Sequence, residues 1–277
     1  MVPVPWRRTG VRPGGRSAPG GIPAMIGSMA DGSNPTETGP RNPILVALDV
    51  PTGEDAVRLA RELSPHVGGF KVGLELLTGP GPAIVGVIGR LGKPVFADAK
   101  LHDIPNTVRA AARHLGEAGA RWVTAHAAGG RAMLEAAVEG LREGAGSRAA
   151  GILAITVLTS LDQDSLAATG VAVTPGKLAA VRARLARQAG CEGVITSVRE
   201  LGVISDVAPQ LLRVTPGIRP AGVDTHDQAR AATPSEGMER GAHYLVIGRA
   251  ITGAPEPARA TLDILSDLDL TPDSVGL

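Results

Sequence analysis

At 277 residues, 43% hydrophobic and 20% charged, the chain can bury one large core or two small ones and has the composition of a soluble globular protein. A net charge of +1, with no basic cluster interleaved with aromatics, argues against nucleic-acid binding and leaves small ligands as the expected partners. A single cysteine, Cys191, rules out an internal disulfide framework or thiolate-rich metal site, and no run of about 18 apolar residues offers a membrane span.

Residues 1–41 differ from the rest, with seven prolines, eight glycines, five arginines and only two acids, and read as a disordered extension. They lack the apolar run of a secretory signal and hold too much Pro and Gly for an amphipathic transit helix, so a cytoplasmic protein is expected. An alternative is that translation begins at Met25 or Met29.

From Asn42 onward short β-branched runs alternate with helix-period segments. The predicted strands are ILVALD (44–49), GGFKVG (68–73), PVFADAK (94–100), RWVTAHA (121–127), GILAITVLT (151–159), EGVITS (192–197), LLRVTPG (211–217) and HYLVIGR (243–249). Aromatics at 2% leave this core to Val, Leu, Ile and Ala, with Cys191 as a buried strand residue. Between the strands lie GEDAVRLARELSPHV, NTVRAAARHLGEAG, GRAMLEAAVEGLREG and PGKLAAVRARLARQAG, with apolar residues three and four apart. The segments GPGPAIVGVIGRLG and VRELGVISDVAP are weaker helices, one rich in glycine and the other short. Eight such units over 42–277 predict one catalytic domain, a closed (β/α)8 TIM barrel of class α/β. An open doubly wound sheet is the competitor, and no Gly-x-Gly-x-x-Gly after the first strand supports it.

In such a barrel the site lies where the strands end, and polar residues collect there. They are Asp49, Lys71, Asp98 with Lys100, His126, Thr159, Pro216 with Gly217, and Gly248 with Arg249. Strand alternation puts Asp98 and Lys100 on one face, with Asp103 just beyond in a loop stiffened by Pro105. One such pair could be a structural ion pair closing the mouth. Five charges converging there, each desolvated, are harder to explain by stability.

The chain has 24 arginines but only four lysines, Lys71, Lys93, Lys100 and Lys177, and two of these sit on inward strand ends. Arginine cannot release its proton at working pH, whereas a lysine can serve as a general acid, so proton transfer at Lys100 or Lys71 is expected. Arg219 in TPGIRP and Arg249 in VIGRAIT follow the seventh and eighth strands, the usual phosphate seat, and favour a phosphate monoester. His126 reads more simply as a hydrogen-bonded core residue than as a catalyst, and Asp162 and Asp164 as solvated loop charges or a helix cap.

The stretch FADAKLHDIPNTV (96–108) resembles the signature of the orotidine 5′-phosphate decarboxylase family, Asp-x-Lys-x-x-Asp-Ile-Pro-x-Thr. Further landmarks fall in order: ALDV at 47–50, FKVG at 70–73, VTAHAAGG at 123–130, TVLTS at 156–160, TPGIRP at 215–220 and VIGRAIT at 246–252. The resemblance runs from about residue 43 to about 255.

It implies cofactor-independent decarboxylation of orotidine 5′-phosphate to uridine 5′-phosphate, within pyrimidine (UMP) biosynthesis, by a homodimer with no metal. Lys100 would protonate C6 and Asp98 would lie against the leaving carboxylate. Asp103, Ile104 and Thr107 would reach in from the partner subunit. Lys71 and Asp49 would hold the ribose, Thr159 the base, and Gln228 would link base and phosphate. Arg219, Gly248 and Arg249 would seat the phosphate and Pro216 would join the substrate-binding set, while contacts from the loop 160–178 remain unassigned.

Two rivals stay open. One is a metal-dependent sugar-phosphate decarboxylase or aldolase of the same superfamily, which would not be expected to carry IPNT. The other is a non-catalytic phosphate-binding barrel, which would have no need of Lys100 between two acids.

Overall fold

The computed structural model describes residues 42–220 and 232–270, and the fold is given for these. Eight strands, β1 (Ile44–Ala47), β2 (Gly69–Val72), β3 (Val95–Leu101), β4 (Trp122–His126), β5 (Gly151–Ile155), β6 (Gly193–Ile195), β7 (Leu212–Thr215) and β8 (Tyr244–Ile247), pair in parallel and in sequence order. β8 returns to β1, with Leu45 opposite Val246, so the barrel closes. The (β/α)8 architecture is therefore present, and the open sheet is not.

Helices α1 (Gly53–Leu63), α2 (Leu74–Thr78), α3 (Ala83–Gly89), α4 (Pro105–Glu117) and α5 (Arg131–Ala145) follow the first four strands. After them come α6 (Gln163–Ala168), α7 (Pro175–Gln188), α8 (Leu201–Val207), α9 (Pro234–Glu239), α10 (Arg249–Thr252) and α11 (Pro257–Asp267). Their starts are written in the sequence. Thr52, Asp162, Thr174 and Thr233 accept backbone N–H bonds as N-caps, and proline opens α4, α7, α9 and α11 where its missing donor costs nothing. The glycine-rich segment GPGPAIVGVIGRLG after β2 does form a helix, the short α3, and α2 precedes it. Glycine also lets α4 and α5 touch backbone to backbone, since a Cβ on Gly140 or Gly144 would collide with the carbonyls of Arg109 and Arg113.

Strand alternation divides the core in two. Val46, Phe70, Ala97, Val123 and Ile152 face outward beneath the helices. Leu45, Ala47, Phe96, Trp122, Leu153, Val214 and Val246 fill the barrel. Of the few aromatics, Trp122 and Tyr244 pack edge to face, 5.1 Å between centroids, at the end where strands begin. Arg121 caps them, 4.6 Å above the Trp122 ring, and pairs with Glu192, which also accepts from Trp122 Nε1 at 3.2 Å. Cys191 is buried, although in the turn before β6, and burial pushes its thiol up to about 12.

Candidate functional site

At the opposite end the ladders stop earlier than alternation suggests, and several predicted residues lie on loops beyond them. Asp49 stands past β1, Thr159 past β5, Pro216 and Gly217 past β7, and Gly248 precedes Arg249, the first residue of α10. These loops and the strand ends enclose a cavity of about 470 Å³. Asp49, Lys71, Asp98, Lys100, Thr159, Pro216, Gly217, Arg219, Gly248 and Arg249 all line it. Phe96, Ile155, Val157, Leu158, Ile195 and Val246 supply an apolar wall suited to a flat ring.

Four side chains form a row of alternating charge. Lys71, on β2 and 8% exposed, donates to Asp49 Oδ1 at 2.8 Å and lies 3.8 Å from Asp98 Oδ2. Lys100 Nζ donates to the same Asp98 oxygen at 2.5 Å. Gly73 leaves room for the first pair, since a Cβ there would stand 2.8 Å from Asp49 Oδ1 and 3.0 Å from Lys71 Nζ. Each ammonium thus has a carboxylate, which moderates the cost of holding charge in a half-enclosed place.

Simple alternation does not explain how Asp98 and Lys100 meet. Between Ala97 and Leu101 the register against β4 shifts: Ala97 opposes Val123, but Leu101 opposes Ala125. Four steps on β3 are set against two on β4, a bulge. Lys100 takes a left-handed backbone, φ +50°, which costs a non-glycine residue about 1–2 kcal/mol. Bulges of this kind re-aim a side chain, and here the side chain is the cavity's half-exposed lysine.

Thr124, which the sequence reading did not single out, supports this geometry. Fully buried on β4, its hydroxyl accepts from Lys100 N at 2.9 Å and donates to Asp98 Oδ1 at 2.9 Å. The available signal was its inward register in WVTAH, two residues before His126.

Asp103, Ile104 and Thr107 are exposed and do not line their own chain's cavity; Ile104 is 67% exposed. Asp103 Oδ1 accepts from the Ile104 N–H at 2.6 Å, and Pro105 then opens α4, so the segment is held firmly while facing outward. Gln228 lies outside the described residues. His126 is also outside the cavity lining, tilted at 33° against His102 with 5.3 Å between centroids. Burial, then the charges of His102, Lys100 and Arg182, push its imidazole below the ordinary value, with Asp98 opposing. Asp162 caps α6, accepting from Ser165 N at 2.8 Å.

Among the described residues no cluster of three or more His, Cys, Asp or Glu side chains is placed to hold a metal ion, and no helix is long and apolar enough to cross a membrane. The cavity can accept an anion beside Arg219 and Arg249, a ring against the apolar wall, and hydroxyls beside Asp49 and Lys71.

Comparison with known proteins gives a consistent result. An orotidine 5′-phosphate decarboxylase from Moorella thermoacetica is 47% identical over 83% of this chain and 93% of its own length. The enzyme of the same name from Anaeromyxobacter sp. (strain K) is 48% identical, over 83% of this chain and 99% of its own. Among solved structures, the crystal structure of orotidine 5′-phosphate decarboxylase from Lactobacillus acidophilus superposes with a TM-score of 0.72 at 33% identity, covering 85% of this chain and all of the other. The family model described as orotidine 5′-phosphate decarboxylase / HUMPS matches residues 42–264, and the chain, sharing that barrel and that sequence, belongs to this family.

Proposed function

We propose that the protein decarboxylates orotidine 5′-phosphate to uridine 5′-phosphate and carbon dioxide in pyrimidine nucleotide synthesis, without a cofactor, Lys100 delivering the proton to C6. The observation that carries this reading is the Asp49–Lys71–Asp98–Lys100 row in the same cavity that Arg219 and Arg249 line. Family membership adds the expectation of this chemistry.

Loss of carbon dioxide leaves an electron pair on a ring carbon with no electron sink. Stabilisation must come from charges fixed in advance, and these are worth most where water is excluded. Lys100 Nζ, held at 2.5 Å from Asp98, offers both a positive charge and a transferable proton. Asp98 lies against the departing carboxylate, between Lys71 and Lys100. Lys71 and Asp49 take the ribose hydroxyls, and Thr159 contacts the base. Arg219, Gly248 and Arg249 seat the phosphate, whose binding energy can be used to hold the reacting carbon in place, and Pro216 borders the substrate.

The protein works as a homodimer in this reading, with Asp103, Ile104 and Thr107 entering the neighbour's site. Support comes from their exposure and their absence from their own cavity. Incubating the protein with orotidine 5′-phosphate and no added cofactor or metal tests the function. A fall in absorbance matching stoichiometric uridine 5′-phosphate is expected; an unchanged spectrum with folded protein would refute it.

A further inference from the structure

We propose that Thr124 is a positioning residue for the decarboxylation step, a single hydroxyl that couples the backbone of the proton donor to the carboxylate beside it; the inference rests on the decarboxylase reading above. Its side chain touches neither cavity nor substrate space. The oxygen receives the Lys100 N–H at 2.9 Å and gives its own proton to Asp98 Oδ1 at 2.9 Å.

Two consequences follow from that directionality. Asp98 Oδ1 is occupied by the hydroxyl, so Oδ2 is the oxygen that faces both ammonium groups, Lys100 at 2.5 Å and Lys71 at 3.8 Å. The Lys100 N–H, turned out of the β3–β4 ladder by the bulge and the left-handed backbone, finds its partner in Thr124. Thr124 is fully buried, and water is poorly placed to replace it. Removing the hydroxyl would leave both the donor of the bulge and one carboxylate oxygen unpaired, and both would relax by moving the Asp98–Lys100 pair. A sub-ångström displacement is enough to slow a proton transfer whose geometry is fixed in advance.

The test compares Thr124→Val, which keeps shape and loses the hydroxyl, with Thr124→Ser, which keeps the hydroxyl. Steady-state kinetics with orotidine 5′-phosphate should show kcat about 30-fold lower for the valine variant and KM within about threefold of wild type. The serine variant should recover kcat to within about threefold. A purely structural role would lower the melting temperature of the valine variant without this split. Unchanged kcat in Thr124→Val, a change confined to KM, or an equal loss in Thr124→Ser would each overturn the proposal. If Thr124→Val does not fold, Thr124→Ala removes the same hydroxyl without added bulk and is judged by the same outcomes. Wild-type protein that converts no substrate would overturn the decarboxylase reading itself, whereas active wild type with an unaffected valine variant sinks only the role of Thr124.

Discussion

Both ends of the barrel carry buried or half-buried charge, but they are built on opposite principles. Where the strands begin, Arg121 and Glu192 form a pair laid across Trp122, which packs edge to face on Tyr244. The Arg121 and Glu192 charges and the Trp122 N–H there pair with one another, and Trp122 packs on Tyr244 inside the barrel. Where the strands end, Asp49, Lys71, Asp98 and Lys100 stand around an open cavity, and Lys100 holds a strained backbone. The first arrangement closes the barrel. The second leaves charge available, and it includes the local cost that a purely structural design would avoid.

The contrast can be tested from both sides. The largest effect is expected at the open end, where Lys100→Ala should lower turnover of orotidine 5′-phosphate by at least ~10³-fold, because the proposed mechanism loses both its proton donor and a fixed positive charge. Stopped-flow absorbance with enzyme in excess would detect the residual rate. At the closed end Trp122→Ala should cost about 3–5 kcal/mol of stability through the cavity it leaves, while kcat of the folded fraction changes little. Urea unfolding monitored by circular dichroism, paired with kinetics, checks this; a variant that folds normally yet loses kcat would erase the distinction between the ends.

The smallest effect concerns pH. His243, just ahead of β8, accepts from Arg213 N at 3.0 Å, and burial, then the Arg213 charge, pushes its imidazole down to about 4. The unfolded chain therefore binds this proton more readily than the folded one. Its contribution is fully present above pH about 6.5 and is lost as pH falls through about 4. With solvent access allowed for, the loss is on the order of 1–2 kcal/mol. His243→Asn should flatten that part of a stability–pH curve, and an unaltered slope would exclude the assignment.

Much of the site is legible in the sequence. Lys71 and Lys100 stood out because the chain otherwise chooses arginine, and alternating strands and helices fixed which strand ends share a mouth. Arg219 and Arg249 followed from the two strands they trail. The strand ends were read too long at Asp49, Thr159, Pro216 and Gly248, because apolar character continues past the last ladder bond when residues turn toward a cavity. The bulge at Lys100 was not legible, since alternation presumes a regular strand. Thr124 was missed because one inward threonine looks like many others. The Arg121–Glu192 pair joins residues 71 apart in sequence, brought together by the pairing of β4 and β6 on either side of β5.

The central claim is that the charge row at the open end serves chemistry and contributes little to the fold. Removing the Lys100 side chain leaves Asp98 with Lys71 at 3.8 Å and the Thr124 hydroxyl at 2.9 Å, so no carboxylate is stranded. Equilibrium urea unfolding of Lys100→Ala is the most direct measurement. Stability within about 1 kcal/mol of wild type, or above it, is the expected result, alongside lost turnover. A fall of about 3 kcal/mol or more would mean that the row holds the barrel together, and would contradict the claim.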